Sequence, residues 1–397
     1  MISKESFQGT QLLLINLLGT GILVALNLGL PFLVSLEDYS LFVINYSIYI
    51  VSSNLFNFGL GSITLKYAVN NLDNLENYLF VMWLILLVIS IPLGVVILGF
   101  FADSEISELF ASGHVILAGA LTGLLRNYSY LHLGKRDFRK YTLLYLLPRV
   151  VLFSGILVAS LSGYDMKMGY RNVFICIAVS NTLILTLTGQ VGFIVKYNTL
   201  LTLTRENSHL LLMNTFNSLL SGYGISLVFS SVLVPIELAV MNISNQIISG
   251  SSQLNNSFID AYLPSFLSKK ISRSSVNKFN SYLSIKVVSI GIISLLIGSI
   301  WVVSAFQLTN AAFFGFIIGS SVVFVNPFKS VGFNVIIDSA RNHLISISYL
   351  IYTVLVPTTA YLGYRYFGYV GLNAALFISA IIHLVLLRTY SRNLYHV

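Results

Sequence analysis

Long apolar runs, broken by short polar stretches, cover the chain almost end to end. A window of about 19 residues resolves twelve of them, near 11–34, 40–64, 78–101, 114–133, 141–162, 172–195, 210–234, 238–258, 282–306, 310–336, 344–362 and 368–387. Each is long enough for a helix that crosses a bilayer, which takes about 20 apolar residues. The fourth run is interrupted by Arg126, and the eighth is unusually polar. The largest polar stretch, Asp260 to Ser281, is roughly twenty residues, too short to fold alone. The pattern predicts an all-α integral membrane protein of about 12 transmembrane helices whose function resides in the helix bundle itself.

Composition agrees. Charged residues are 9% and hydrophobic residues 56%, where soluble domains carry about 25% charge. Mean hydropathy is +0.84. The beginning of the chain has no small-residue cleavage site after a short apolar core, so it reads as an uncleaved first span. Cys176, the single cysteine, lies in an apolar run and reads as a small packing residue. Sixteen of the 22 lysines and arginines fall in the segments that share a side with the N-terminus. Three (Lys167, Arg171 and Arg365) fall on the other side, and Arg126, Arg149 and Lys329 fall within spans. The positive-inside rule then places both termini in the cytoplasm of a multi-pass protein. The net charge of +8 is mainly this topology signal, and no basic soluble module for nucleic acid is present in the sequence.

The chain repeats itself at half its length. Leu12–Asn16 (LLLIN) has a counterpart in Leu210–Asn214 (LLLMN), and Val34–Glu37 (VSLE) in Val234–Glu237 (VPIE). Asn45, Ile48 and Ser52 align with Asn245, Ile248 and Ser252. Six spans per half make this a parallel repeat about an axis along the membrane normal. The expected domains are an N-terminal six-helix lobe, 1–200, and a C-terminal six-helix lobe, 201–397, around a central cavity.

Polar residues concentrate on the first two spans of each half. Span one carries Asn16, Thr20 and Asn27, and span two Asn45, Ser52, Ser53, Asn54 and Asn57. Span seven carries Asn214, Asn217, Ser218 and Ser221 on one helical face. Span eight carries eight amides and hydroxyls, Asn245 among them. Amides in hydrocarbon need partners or water. Single ones serve as interhelical hydrogen bonds, but the number on span eight points to a hydrated cavity. Span three, nearly devoid of polar residues, is expected to face lipid.

The three cations within spans are the strongest chemical signal. Thr122, Arg126 and Tyr130 form a stripe on span four, and Thr142, Tyr145 and Arg149 another on span five. The two spans make a hairpin about the basic loop Gly134–Lys140, which puts the arginines at matching depth, roughly 12 Å in. Asn326, Lys329, Ser330 and Asn334 form a third stripe on span ten, with Pro327 expected to kink it. Snorkelling to headgroups is one explanation, and pairing with a buried acid another. Glu237, Asp260 and Asp338 all fall near span ends, however. Intramembrane cations without acids point to an anionic ligand, and the guanidinium fork suits phosphate oxygens. The six histidines are scattered, mostly near span edges, and read as packing residues; no metal cluster, nucleophile triad or phosphate-binding glycine loop is visible, so no enzyme chemistry and no cofactor is expected.

Tyr39–Ala68 (YSLFVINYSIYIVSSNLFNFGLGSITLKYA), with Phe58-Gly59-Leu60 and the basic residue and tyrosine after it, resembles the second-span region of bacterial polysaccharide exporters. The basic hairpin loop, the IDSARN turn after span ten and the two-half layout also resemble this group, the O-antigen flippase branch of the multidrug/oligosaccharidyl-lipid/polysaccharide exporter superfamily. The resemblance implies an inner-membrane transporter that moves undecaprenyl-diphosphate-linked oligosaccharide repeat units to the periplasmic leaflet by alternating access. It implies that Arg126, Arg149 and Lys329 bind the anionic substrate, with Tyr130, Tyr145, Asn326, Asn334, Asn16, Asn45, Asn214, Asn217 and Asn245 lining the cavity. It further implies lipid, an O-antigen polymerase and a chain-length regulator as partners. Relatives are often coupled to protons or sodium through acids inside the lobes. The first half here has none deep in a span, which leaves Asp260 and Asp338 as ion-coupling candidates.

Two rivals remain open. A periplasmic O-antigen polymerase would need a large outer loop with arginines or acids, whereas these outer loops are short. A small-molecule antiporter handling cationic drugs would want acids in its cavity, whereas the buried charges are positive.

Overall fold

A computed structural model describes residues 2–57, 75–85, 113–162, 165–188, 222–267, 273–306, 308–338 and 342–392, with isolated positions between them. The described residues are helical, with no strand among them. In chain order the helices are α1 (Ile2–Gly29), α2 (Leu36–Asn57), α3 (Leu75–Ile85), α4 (Gly113–Gly134), α5 (Phe138–Leu161), α6 (Met166–Thr188) and α7 (Tyr223–Val228). They continue with α8 (Pro235–Leu267), α9 (Arg273–Ala305), α10 (Asn310–Ser320), α11 (Asn326–Asp338) and α12 (Asn342–Arg392). Six described helices are long and apolar enough to cross a membrane. The protein is an all-helical integral membrane protein.

The helix ends follow from local chemistry. Asp137 caps α5 by accepting from the Lys140 N–H at 3.3 Å, and Thr309 caps α10 by accepting from Ala312 at 3.2 Å. The basic loop is consequently only Lys135–Asp137, shorter than the expected 134–140, and Arg149 lies about one turn deeper than Arg126 relative to it. Span ten is broken as expected. A 3-10 turn, Ser321–Phe324, separates α10 from α11, and Pro327 stands in the first turn of α11. Spans eleven and twelve are the two arms of α12, which fold back at Gly368; its φ of 59° is open to glycine without strain.

Exposure separates the lipid-facing surfaces. On α9, Ile285, Ile292, Ile293, Leu296, Ile297 and Ile300 are all exposed, a stripe that only lipid would solvate well. The described beginning of span three has two faces, with Ile85 and Val88 exposed as a lipid-facing helix requires and the other face turned inward. Tyr78, Leu79, Met82 and Trp83 are buried, because the Trp83 indole donates to the Ala120 carbonyl at 3.1 Å and turns that face inward. At the foot of α3, burial raises the Glu76 carboxyl but the bound Lys135 ammonium outweighs it, so Glu76 titrates below its ordinary value.

By contact, the chain forms two compact units: Met1–Leu28 with Leu233–Val397, and Gly29–Val232. The boundaries cross those of the sequence halves at 1–200 and 201–397. Span one packs with spans eight and nine, and the described end of span seven, α7, packs on α2.

Candidate functional site

In the Gly29–Val232 unit, α4 lies close against the backbone of α2. A Cβ on Gly119 would stand 2.6 Å from the Tyr49 carbonyl, and one on Gly123 2.5 Å from the Ser53 carbonyl. This approach carries the Thr122–Arg126–Tyr130 stripe onto α2, α5 and α6. Thr122 donates to the Ala118 carbonyl at 2.8 Å, receives the Asn181 amide at 2.8 Å and meets the Tyr49 hydroxyl at 3.1 Å. One turn on, Arg126 donates from Nη1 to Asn54 Oδ1 at 3.1 Å, and its guanidinium faces the Tyr130 hydroxyl, with Tyr141 and Tyr145 close by.

Arg149 completes the cluster from α5. Its guanidinium carbon lies 3.7 Å from the centroid of the Tyr145 ring, a close cation–π contact, and Nη1 donates to the Tyr145 carbonyl. Its Nε is buried without a partner. Tyr145 stacks on Tyr141 at 5.5 Å. Tyr141 and Tyr145 thus lie near both guanidiniums. No carboxylate lies within ion-pair distance of either arginine among the described residues. The ion pairs there join His132 to Asp137, Lys135 to Glu76 and Lys140 to Asp137. Two charges held by neutral acceptors and aromatic faces leave donor capacity for an anion, and Arg126 is open to one, being exposed.

The remaining residues singled out in the sequence fall in different places. Lys329 stands on α11 in the other compact unit, its Nζ 5.5 Å from the Tyr352 ring centroid. Asn326, one turn before it, has a buried Oδ1 without a partner. Asn16 lines a cavity of about 270 Å³ between α1, α8 and α9, with Thr20, Gln246, Gln253 and Ser294 among the other lining residues. Thr20 bonds Gln253 and the Asn16 carbonyl, and Asn242 bonds Asn27 at 2.9 Å, so several amides of spans one and eight act as interhelical ties. Asn245 is buried on α8. Asn45 turns back to the Leu41 carbonyl of its own helix at 3.0 Å. Asn214 and Asn217 lie outside the described residues, as do the side chains of Asn334, Asp260 and Asp338.

Sequence reasoning missed Tyr49, Tyr141 and Asn181, which sit among apolar residues with no period to mark them. His383, one of the scattered histidines read as packing residues, is buried in the second arm of α12 and stacked on Tyr352 at 4.4 Å.

No protein-family profile matches the chain, and no curated relative does. Solved structures do. A chain described as protein A is 12% identical, with 98% of this chain and 96% of that one covered and a TM-score of 0.69. A multidrug-resistance MATE family transporter of the MOP superfamily, in an inward-facing conformation, is 12% identical over 98% of this chain and 95% of that one, with a TM-score of 0.58. A MOP superfamily transporter from Pyrococcus furiosus is 13% identical over 98% and 96%, with a TM-score of 0.54. The chain has the MOP transporter fold. The resemblance seen in Tyr39–Ala68 pointed to this superfamily, and the neighbours share the fold it implied.

Proposed function

We propose that the protein is a flippase that carries a diphosphate-linked lipid oligosaccharide across the bacterial inner membrane by alternating access, and that Arg126 and Arg149 hold the diphosphate. The observation that carries this reading is a pair of guanidiniums within predicted spans with no carboxylate at ion-pair distance among the described residues. Placing an arginine in hydrocarbon costs about 3 kcal/mol or more, and a protein sheds that cost by mutation unless the charge is used. A diphosphate offers several anionic oxygens, and each guanidinium can bind two of them. Tyr130 and Tyr145 supply flat faces for the first sugars. Lys329, in the other compact unit, is a separate cation suited to acidic sugars. Asn16 and Asn326, with Asn214, Asn217 and Asn334, stay candidates for contact with the cargo, whereas Asn45 is held by its own helix; Asp260 and Asp338 stay the candidates for ion coupling.

A second reading, a small-molecule antiporter, draws on the neighbours described as multidrug-resistance transporters. The Pyrococcus furiosus neighbour is described as having a binding pocket of reverse polarity that suggests a different function, so this fold accommodates pockets of either sign. The cations here favour an anionic cargo. Deletion in the native host separates the readings. A flippase deletion retains complete lipid-diphosphate-linked units on the cytoplasmic leaflet, seen by mass spectrometry, and removes even single-unit surface chains. Surface lipid capped with one unit would identify a polymerase, and unchanged polysaccharide would leave the antiporter.

A further inference from the structure

The unit that contains Lys329 has a second titratable group at its centre. His383 is 3% exposed, stacks on Tyr352 with the rings 23° apart and meets Tyr349 at 5.0 Å. Neither Nδ1 nor Nε2 has a hydrogen-bond partner among the described residues. A buried polar atom left unpaired is costly, and a leucine would fill much the same space without that cost. Tyr352 also faces the Lys329 ammonium, which has no carboxylate partner among the described residues. The other groups near the pair are few. Tyr349 and Tyr352 belong to α12 itself, and Arg388, further along it, lies 5.4 Å from the Phe328 ring. Neither α10 nor the 3-10 turn carries a titratable side chain. Asp338 on α11 and Asp260 on α8 have side chains outside the described residues.

We propose that Lys329 and His383 form an anion site whose filling is linked to the uptake of a proton by His383. Lys329 and His383 lie against the same Tyr352 ring, and two positive charges so placed repel, so a charged lysine disfavours a protonated imidazole. A phosphate, sulfate or carboxylate group against Lys329 reverses the local field. The imidazole then accepts a proton and donates an N–H to the anion. By reciprocity, protonation of His383 tightens the hold on the anion. The role in transport rests on the anionic cargo proposed above, but the linkage itself is a binding property and is measured without export.

The test uses the purified full chain in nanodiscs with sulfate as the probe, a dianion with no titratable proton near neutral pH. Calorimetry in buffers of different ionisation enthalpy should show uptake of about one proton per sulfate bound near pH 7. Lys329→Met should lose this binding component, and His383→Gln should bind roughly tenfold more weakly with no proton uptake. The component should persist in Arg126→Ala/Arg149→Ala. Proton uptake unchanged in His383→Gln, or no Lys329-dependent sulfate binding, would overturn the linkage while the flippase reading stands. In the unmutated protein, nitrogen NMR of labelled histidine should move one ring from the neutral to the doubly protonated form as sulfate is added. A ring that stays neutral overturns the inference even if the variants fail to fold.

Discussion

At the residue scale, Arg126 and Arg149 are held differently and should fail differently. Arg126 is tied to Asn54 by one hydrogen bond, whereas Arg149 lies flat on Tyr145 with its Nε unpaired. Either arginine replaced by alanine should abolish export, with protein abundance unchanged on an immunoblot; full export by the double variant would remove both from the mechanism. Arg149→Lys separates charge from shape. Lysine keeps the charge but has no planar fork to lie on the ring or to grip two oxygens. Export should fall about tenfold, some 1.4 kcal/mol, whereas Arg126→Lys should lose less because its bond to Asn54 needs one donor only. The sequence exposed these cations because charge is rare in an apolar run. Their partners stayed hidden, since a tyrosine or asparagine among leucines has no signature until the helices pack.

At the scale of elements, the site depends on how closely α2 and α4 approach. Gly119 and Gly123 are spaced four apart on one face of α4, and the backbone of α2 occupies the place a side chain would take at either position. Gly123→Ala should force the helices apart and destabilise the protein by about 1–3 kcal/mol. It should lower the thermal midpoint in detergent and weaken sulfate binding at the arginines through displacement of Asn54 and Tyr49. Gly113→Ala, where nothing lies within 4 Å, is the matched control. If both variants melt alike, the close approach does not hold the site together. The spans were readable because hydrophobic length survives any packing. The loop between α4 and α5 was read too long because its basic residues look like loop, whereas the Asp137 cap draws Phe138–Lys140 into the helix.

At the scale of the whole molecule, the fold class was legible in hydropathy, but the grouping of Met1–Leu28 with Leu233–Val397 in one compact unit was not. No local pattern in Leu12–Asn16 says which later helices it will meet; Asn27 bonding Asn242 across 215 positions is a tertiary choice. Orientation, by contrast, rests on the count of lysines and arginines, and it decides which leaflet the Arg126–Arg149 hairpin serves. In a Cys176→Ser background, which removes the exposed native thiol, cysteines placed at Arg136, Ser274, Lys167 and Tyr366 report the side of four exposed positions. A membrane-impermeant maleimide added to spheroplasts should modify the cysteines at 167 and 366 and reach those at 136 and 274 only after permeabilisation. The hairpin loop then faces the cytoplasm, where a lipid-linked unit is completed, and the arginines lie about two to three turns in from the side that supplies it. The opposite labelling would put that loop outside, and the chain would then have to receive its anion from the periplasm, which rules out export as the direction of transport.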